Sequence, residues 1–544
     1  MRFEQSVWAA LLSVSSVFAN VEPTGRVGNS PKPNVFNSKC AATTSRLATY
    51  LSNSTVHFSE FIAAGTNLSL PENSPTCGRP FMLVTADICR IALAVSTSER
   101  SGFTMEAWLP SNWTGRFLST GNGGLSGCIQ YQDLAYASAL GFAAVGNNNG
   151  HNGTSGEPFN NNSGVVEDFA YRALHTGVVI GKRITKHFYG KPHKKSYYLG
   201  CSTGGRQGFK SAQTFPDDFD GIIAGAPALA FNSLVAWSGN FYSLTGPPTS
   251  PKFVTRALWL LVHRDVLKQC DALDGLVDGV IEDPSQCNYD PSGLICSEGT
   301  GGNSTTCLTP IQAETVKSVY KPLFDDRGGL IYPGLQPGGE VVAAFFMLHG
   351  APFIYTTEWF RYVVYDPSWD PETLNMRDYE TAIRLNPFNI QTWEGDLSRV
   401  RKRGTKVLHW HGLMDGIITS GISPQYYEHV SSTMRLSPAE LDKFYRYFPI
   451  SGAGHCFGGD GAHAIGQAIN EVNSYHPSEN ILMALVDWVE NSNPPETLIG
   501  TRWVNNTQSL GVDYQRAHCK YPKRNQYKGK GNSNVLSSWE CVDP

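Results

Sequence analysis

The chain has 544 residues, about three to four domains' worth at ~150 residues per domain. With 41% hydrophobic, 11% aromatic and 17% charged residues, 54 Gly and 32 Pro, it is neither disordered, nor collagen-like, nor a coiled coil. A formal net charge of -4 gives no sign of the basic face that nucleic-acid binding needs, and Lys194-Lys195 and Arg401-Lys402-Arg403 are short enough to be solvated surface.

Arg2 precedes an uncharged, largely apolar run from Val7 to Val17, and Val17-Phe18-Ala19 puts small residues where a signal peptidase reads. This predicts a signal peptide over 1–19 and a mature chain from Asn20. The run is shorter than the ~20 apolar residues that cross a bilayer, and no other stretch reaches that length. The expectation is a secreted, extracellular protein without a membrane partner. Its 12 cysteines, an even number, predict six disulfides in an oxidising compartment. Sequons at Asn53, Asn67, Asn112, Asn152, Asn161, Asn303 and Asn505 predict N-glycans. No Cys-x-x-Cys pair supports a zinc-ribbon or thioredoxin reading.

Residues 20–100 read as loop-rich. From there the pattern alternates. Phe103 to Leu109, Arg116 to Thr120 and Gly141 to Gly146 read as strands, and Asp168 to Tyr189 as a helix. Ser196 to Leu199 is a strand, a helical segment follows to Phe215, and Gly221 to Gly225 is another buried strand. This rhythm predicts an α/β fold with a parallel sheet and helices on both faces. It stops over 229–404, which holds a long helix (about Pro251 to Leu267), a Cys-rich acidic loop and a capped helix start at Thr309-Pro310-Ile311-Gln312. That stretch reads as an insertion. Strands resume at Lys406 to Trp410 and Phe444 to Ile450, and Asn480 to Asn491 is an amphipathic helix.

Gly200-x-Ser202-x-Gly204, between a strand and a helix, matches a nucleophile elbow. Small residues there let the chain turn sharply and present the Ser hydroxyl. Such a Ser needs a base, and the base needs an orienting acid. Asp415 follows one late strand and His455 the next, in the order Ser, Asp, His. His409 and His411 are rival bases, but lie in or at the end of the strand itself, which favours a structural or pocket role. His151 and His175 precede the nucleophile. Cys201 adjoins Ser202 and Cys456 adjoins His455, so a Ser202–His455 hydrogen bond would bring the two cysteines into disulfide range; buried free thiols are the alternative.

These residues resemble the fungal tannase and feruloyl esterase family: Cys201-Ser202, Asp415 and His455-Cys456, with Trp113 to Phe117, Gly121 to Gly124, Asp168 to His175, Gly200 to Gly208 and Asp217 to Gly221. The resemblance covers most of the chain from about residue 100. It implies an α/β-hydrolase domain over 20–228 and 405–544, with a lid over 229–404. It also implies a secreted serine esterase acting on phenolic-acid esters: feruloyl and p-coumaroyl esters of plant cell-wall polysaccharide, or galloyl esters as in tannases. The backbone N–H groups of Thr203 and of Gly123 or Gly124 would form the oxyanion hole. The family's pairing suggests disulfides Cys40–Cys89, Cys77–Cys128, Cys270–Cys287, Cys296–Cys307 and Cys519–Cys541.

The acidic loop from Asp271 to Ile281 is either a solvated turn or a wrap for one hard cation. The resemblance favours a structural Ca2+ held by Asp271, Asp274 and Asp278 with the carbonyls of Leu276 and Val280. The lid would supply aromatic and apolar walls for the phenolic ring; Trp237, Phe241 and Tyr242 lie near its start, with no place in the pocket assigned to them. Tannase-like proteolytic processing would need a dibasic site in the lid; none occurs between 280 and 400, and Lys402-Arg403 lies at its far boundary. A non-catalytic binding protein on the same fold would have lost triad members, and all three candidates are present.

Overall fold

Nine strands form one twisted sheet. They are β1 (Ser54–Ile62), β2 (Ile88–Ser98), β3 (Ser101–Pro110), β4 (Arg116–Thr120), β5 (Phe142–Asn147), β6 (Lys195–Cys201), β7 (Gly221–Gly225), β8 (Lys406–Gly412) and β9 (Tyr445–Ile450). The spatial order is β1-β2-β3-β5-β4-β6-β7-β8-β9. The first three strands are antiparallel to their neighbours, and β5-β4-β6-β7-β8-β9 are parallel. The computed structural model describes residues 33–297 and 305–544; the expected signal peptide and the sequon at Asn303 lie outside the described residues.

Strand periodicity divides the core between the two sheet faces. Phe117, Val145, Ile222 and Val407 point into one cluster, with Val178 and Ile184 of the helix Ala173–Tyr189. Their chain neighbours Leu118, Ala144, Ile223 and Leu408 point into the other, with Leu134 of Tyr131–Ala139 and Leu485 of Ile481–Asn491. Both faces are covered, as a parallel sheet requires.

The chain leaves the sheet after β7 and returns at β8. The insertion is mainly helical, with Phe231–Thr245, Arg256–Cys270, Pro310–Val319, Glu340–Phe346, Ile354–Trp359 and Met376–Leu385 among its elements. Its buried Trp237, Trp259 and Trp359 belong to the same hydrophobic cluster as Phe117 and Val145, so it packs onto the sheet. The helix expected from Pro251 starts instead at Arg256, where the Thr255 side chain accepts from Leu258 N. The Thr309–Gln312 capping box is formed.

The region before residue 100 differs from the loop-rich expectation. It contains helices Pro33–Ala41 and Thr43–Tyr50, strands β1 and β2, and a small hairpin of Thr66–Ser69 with Phe81–Val84. β1 alternates partly exposed and exposed residues, so its sequence lacks the apolar run that marks the central strands. The helix expected over 168–189 opens with a wide π turn at Asp168–Arg172. There the buried guanidinium of Arg206 takes the carbonyls of Ala170 and Phe169 at 3.0 and 3.2 Å.

All six disulfides pair as the sequence and the resemblance suggested: Cys40–Cys89, Cys77–Cys128, Cys201–Cys456, Cys270–Cys287, Cys296–Cys307 and Cys519–Cys541. The six described sequon asparagines, Asn53, Asn67, Asn112, Asn152, Asn161 and Asn505, are all exposed.

Candidate active site

Ser202 stands between β6 and the helix Thr203–Thr214 at φ 64° and ψ -124°. A non-Gly residue at positive φ is strained, and this turn aims the Ser hydroxyl out of the sheet edge. Its surroundings demand glycine. A Cβ on Gly200 would lie 2.7 Å from Tyr198 Oη, and one on Gly205 would lie 2.3 Å from Gly225 O. The turn is held by Ser202 N donating to Gly225 O and Ala228 N to Ser202 O, both at 3.0 Å.

Asp415 follows β8 and is fully buried; His455 follows β9. His455 Nε2 lies 3.0 Å from Ser202 Oγ, and His455 Nδ1 lies 2.6 Å from Asp415 Oδ2. Asp415 Oδ1 accepts from Ile417 N and Ile418 N, each at 2.9 Å. Burial drives the Asp415 carboxyl pKa up, but the charge of His455 and the hydrogen bonds from His411 and His455 outweigh it. The group is held well below the usual carboxylate range. An ionised acid, an imidazole and a hydroxyl in line can activate the hydroxyl as a nucleophile.

The Cys201–Cys456 bridge ties the two catalytic loops, its Cα atoms 5.8 Å apart across 255 residues of sequence. The His455 loop is tight: Gly454 N donates to Gly458 O at 2.8 Å, and Cys456 has φ 66°.

The expected oxyanion segments also meet. Thr203 Oγ1 donates to Gly124 O at 2.7 Å. Gln207 clamps Asn122 beside them, accepting from its N at 3.0 Å and donating to its Oδ1 at 3.1 Å. Gly124 has φ 55°, and a Cβ there would lie 2.4 Å from Tyr355 Oη, so the insertion's helix Ile354–Trp359 sits over this turn.

The other histidines take different places. His151 Nε2 bonds Leu125 O at 2.8 Å, and burial lowers its pKa. His175 Nδ1 bonds Asp218 Oδ2 at 2.8 Å and its ring stacks on Phe215. His409 and His411 are fully buried and do not reach Ser202, which His455 already serves; His411 contacts Asp415. Trp237 and Phe241 are buried within the insertion, paired edge to face at 4.7 Å, and Tyr242 is half-buried. Tyr355, from the insertion, and Phe457, two residues beyond His455 and 61% exposed, are the aromatics the sequence reading passed over. Neither carries a local signal.

The family model for tannase and feruloyl esterase matches residues 89–542. The chain belongs to this family. It is 53% identical over 508 residues to a probable feruloyl esterase B-2 of Aspergillus oryzae, spanning 93% of this chain and 96% of that one. The crystal structure of feruloyl esterase B from Aspergillus oryzae superposes with a TM-score of 0.90 at 48% identity, covering 93% of this chain and 100% of that chain. A tannin acyl hydrolase from Aspergillus niger shares the fold at a TM-score of 0.71 and 23% identity, over 93% of this chain and 95% of that one. The α/β-hydrolase fold and the carboxylic ester hydrolase class expected from the sequence both stand.

The acidic loop folds around Asp271, whose carboxylate accepts from Asp278 N at 3.2 Å and Gly279 N at 2.9 Å. Asp274 Oδ1 accepts from Leu276 N at 2.9 Å, while its Oδ2 is buried without a partner. Burial, then Glu282 and Asp278, push the Asp274 carboxyl up to about 7. Arg516 pairs with Asp278 at 3.0 Å and with Glu282. Asp274 and Glu282 line a small cavity of about 10 Å³. Among the described residues no three acidic, His or Cys side chains converge at ligating distance. An unpartnered buried carboxylate oxygen in a turn rich in acidic groups and carbonyls is nonetheless a donor set that fits a hard cation. The loop is remote from the triad in sequence but not in space. Cβ atoms built on Gly452 and Gly338 would lie 3.1 Å from Val280 and 3.9 Å from Ile281, beside the base and acid loops.

Proposed function

We propose that this chain is a secreted serine esterase that hydrolyses feruloyl and p-coumaroyl esters of plant cell-wall polysaccharide. The observation that carries the reading is the Ser202–His455–Asp415 array, at 3.0 and 2.6 Å, in a chain about half identical to feruloyl esterases along nearly its whole length. His455 Nε2 takes the Ser202 proton as Oγ attacks the ester carbonyl, and Asp415 stabilises the imidazolium. The N–H groups of Thr203 and of Gly123 or Gly124 receive the developing oxyanion. His455 then protonates the departing sugar alcohol. Water, deprotonated by His455, releases the phenolic acid and regenerates Ser202.

Tyr355 and Phe457 are the aromatic surfaces we assign to the phenolic ring. The identity to the tannin acyl hydrolase, 23% against about half for the feruloyl esterases, favours hydroxycinnamoyl over galloyl esters. Secretion is supported by the signal-like N-terminus, six disulfides and exposed sequons, which would carry N-glycans. Among the described residues no helix is long and apolar enough to cross a membrane. We also assign a structural Ca2+ to Asp271, Asp274 and Asp278 with the carbonyls of Leu276 and Val280; the bound ion would neutralise the buried charge of the loop.

The test compares initial rates on methyl ferulate, p-coumarate, caffeate and gallate with Ser202→Ala as control. Turnover of the cinnamates over the gallate, lost by a factor on the order of 10⁶ in Ser202→Ala, is expected. A variant that keeps its turnover refutes the nucleophile, and a preference for gallate refutes the substrate class.

A further inference from the structure

Asp415 serves two histidines, and the proposed mechanism uses one. His411 is fully buried, and its Nε2 lies 3.1 Å from Asp415 Oδ2, the oxygen that also bonds His455. The geometry points to His411 as a positioning residue for the triad, held in a single tautomer by a one-way chain of hydrogen bonds from Tyr445 through His409 and Ser423.

The direction of the chain follows from its acceptors. His411 Nε2 faces Asp415 Oδ2 and also Ile418 O at 3.1 Å, and neither has a hydrogen to give, so Nε2 carries the proton. Nδ1 is the acceptor as read from the far end of the chain. The Tyr445 hydroxyl gives its proton to His409 Nδ1, His409 Nε2 then donates to Ser423 Oγ, and the Ser423 proton is left for His411. His411 Nδ1 lies 2.6 Å from Ser423 Oγ, on the helix Ile422–Met434, and takes that hydroxyl's only proton. Ser423 Oγ lies 2.8 Å from His409 Nε2, which must donate to it. His409 Nδ1, 2.9 Å from Tyr445 Oη, accepts the phenol proton. Burial, then His411, hold the His409 imidazole well below its usual pKa, and burial keeps the Tyr445 hydroxyl protonated. Every hydrogen in the chain points towards Asp415.

The consequence for the triad is twofold. Two backbone N–H groups on Oδ1 and two imidazoles on Oδ2 fill the four acceptor sites of the carboxylate. Three of these four do not depend on His455, so the acid is oriented before the base picks up a proton. His411 also draws charge from Oδ2, which weakens the hold of Asp415 on an imidazolium at His455. The titratable groups around His411 are Asp415 with His455 across it, His409, Tyr445, Tyr447, tilted against His409 at 4.5 Å, and Tyr332 of the insertion, whose pKa burial and then Asp415 push up.

The test measures kcat, KM and the pH profile of kcat/KM on methyl ferulate for the full-length His411→Leu, His411→Gln and Ser423→Ala variants. His411→Leu is expected to lose about 10- to 100-fold in kcat with KM within about twofold, as a misplaced catalytic group would. Its acid limb moves to higher pH by about half to one unit. His411→Gln, with an amide N–H near the Nε2 position, recovers most of both. Ser423→Ala shifts both in the same direction by less, and carries the test if His411→Leu does not fold. A lower kcat with an unmoved limb and no recovery in Gln marks a packing role and overturns the inference. It rests on the esterase reading: an inert wild type overturns both, whereas an active wild type matched by His411→Leu in kcat and acid limb overturns this inference alone.

Discussion

Gln336, on the insertion, grips the turn that carries Asp415. Its Nε2 donates to the Asp415 main-chain carbonyl at 2.5 Å, and its Oε1 accepts from Thr419 Oγ1 at 2.8 Å and Ser420 N at 3.0 Å. The insertion therefore acts as part of the scaffold that aims the acid, besides covering the site. Gln336→Leu leaves a buried carbonyl and N–H unpaired, at about 1–3 kcal/mol each. It is expected to lower the urea midpoint and kcat together while leaving KM nearly unchanged. Urea unfolding and steady-state kinetics check this, and wild-type kcat in the variant would refute it.

The Cys201–Cys456 bridge spans 255 residues and adjoins both Ser202 and His455. Replacing both cysteines by alanine frees the unfolded chain, which the chain-entropy model puts at up to about 5 kcal/mol. It also releases a residue held at φ 66° beside the base. A lower melting temperature and a lower kcat at 25 °C are expected. If kcat survives with only stability lost, the bridge does not set the catalytic register.

The calcium assignment predicts that a chelator lowers the melting temperature by roughly 5–10 °C, the size of a few kcal/mol of lost binding in a protein of this class. Ca2+ restores it and Mg2+ does not. Because Val280 lies against Gly452 of the base loop, kcat should fall as well. Asp271→Asn should melt low with or without the ion. No metal in elemental analysis and no chelator response would refute the site.

Acid should weaken the fold through buried neutral histidines. Burial lowers the His518 pKa from 6.5 to about 4, and His409 moves in the same direction. A histidine with a depressed folded pKa binds fewer protons folded than unfolded. Its contribution is complete above pH 6.5 and is lost as pH falls towards 4. For His518, fully buried, this amounts to about 3 kcal/mol. Asp415, with its lowered pKa, adds a stabilisation that is complete above the ordinary carboxylate value of 3.8 and is lost only below it. Urea midpoints at pH 7 and 4.5 test this; an unchanged midpoint would sink it.

Sequence legibility followed the physics of each element. The strand Gly221–Gly225 was readable to the residue because a parallel strand buried on both faces is an unbroken apolar run. β1, at the antiparallel end of the sheet and partly exposed, has no such run and read as loop. Ser202 was legible because its turn imposes glycine locally, and Asp415 and His455 because each follows a strand in an expected order.

The sequence by itself determined the alternation of strand and helix, the even cysteine set and the order of the triad, since these depend on local sterics and on composition. Only the tertiary structure decided that Gln336 holds Asp415 from 79 residues away, that Tyr355 lies over Gly124, and that Tyr445, His409, Ser423 and His411 form one chain ending on the acid. Hydrogen bonds act over about 3 Å. Their partners come from four separate segments, and nothing in the order of residues along a chain brings those segments together until the sheet and its insertion have packed.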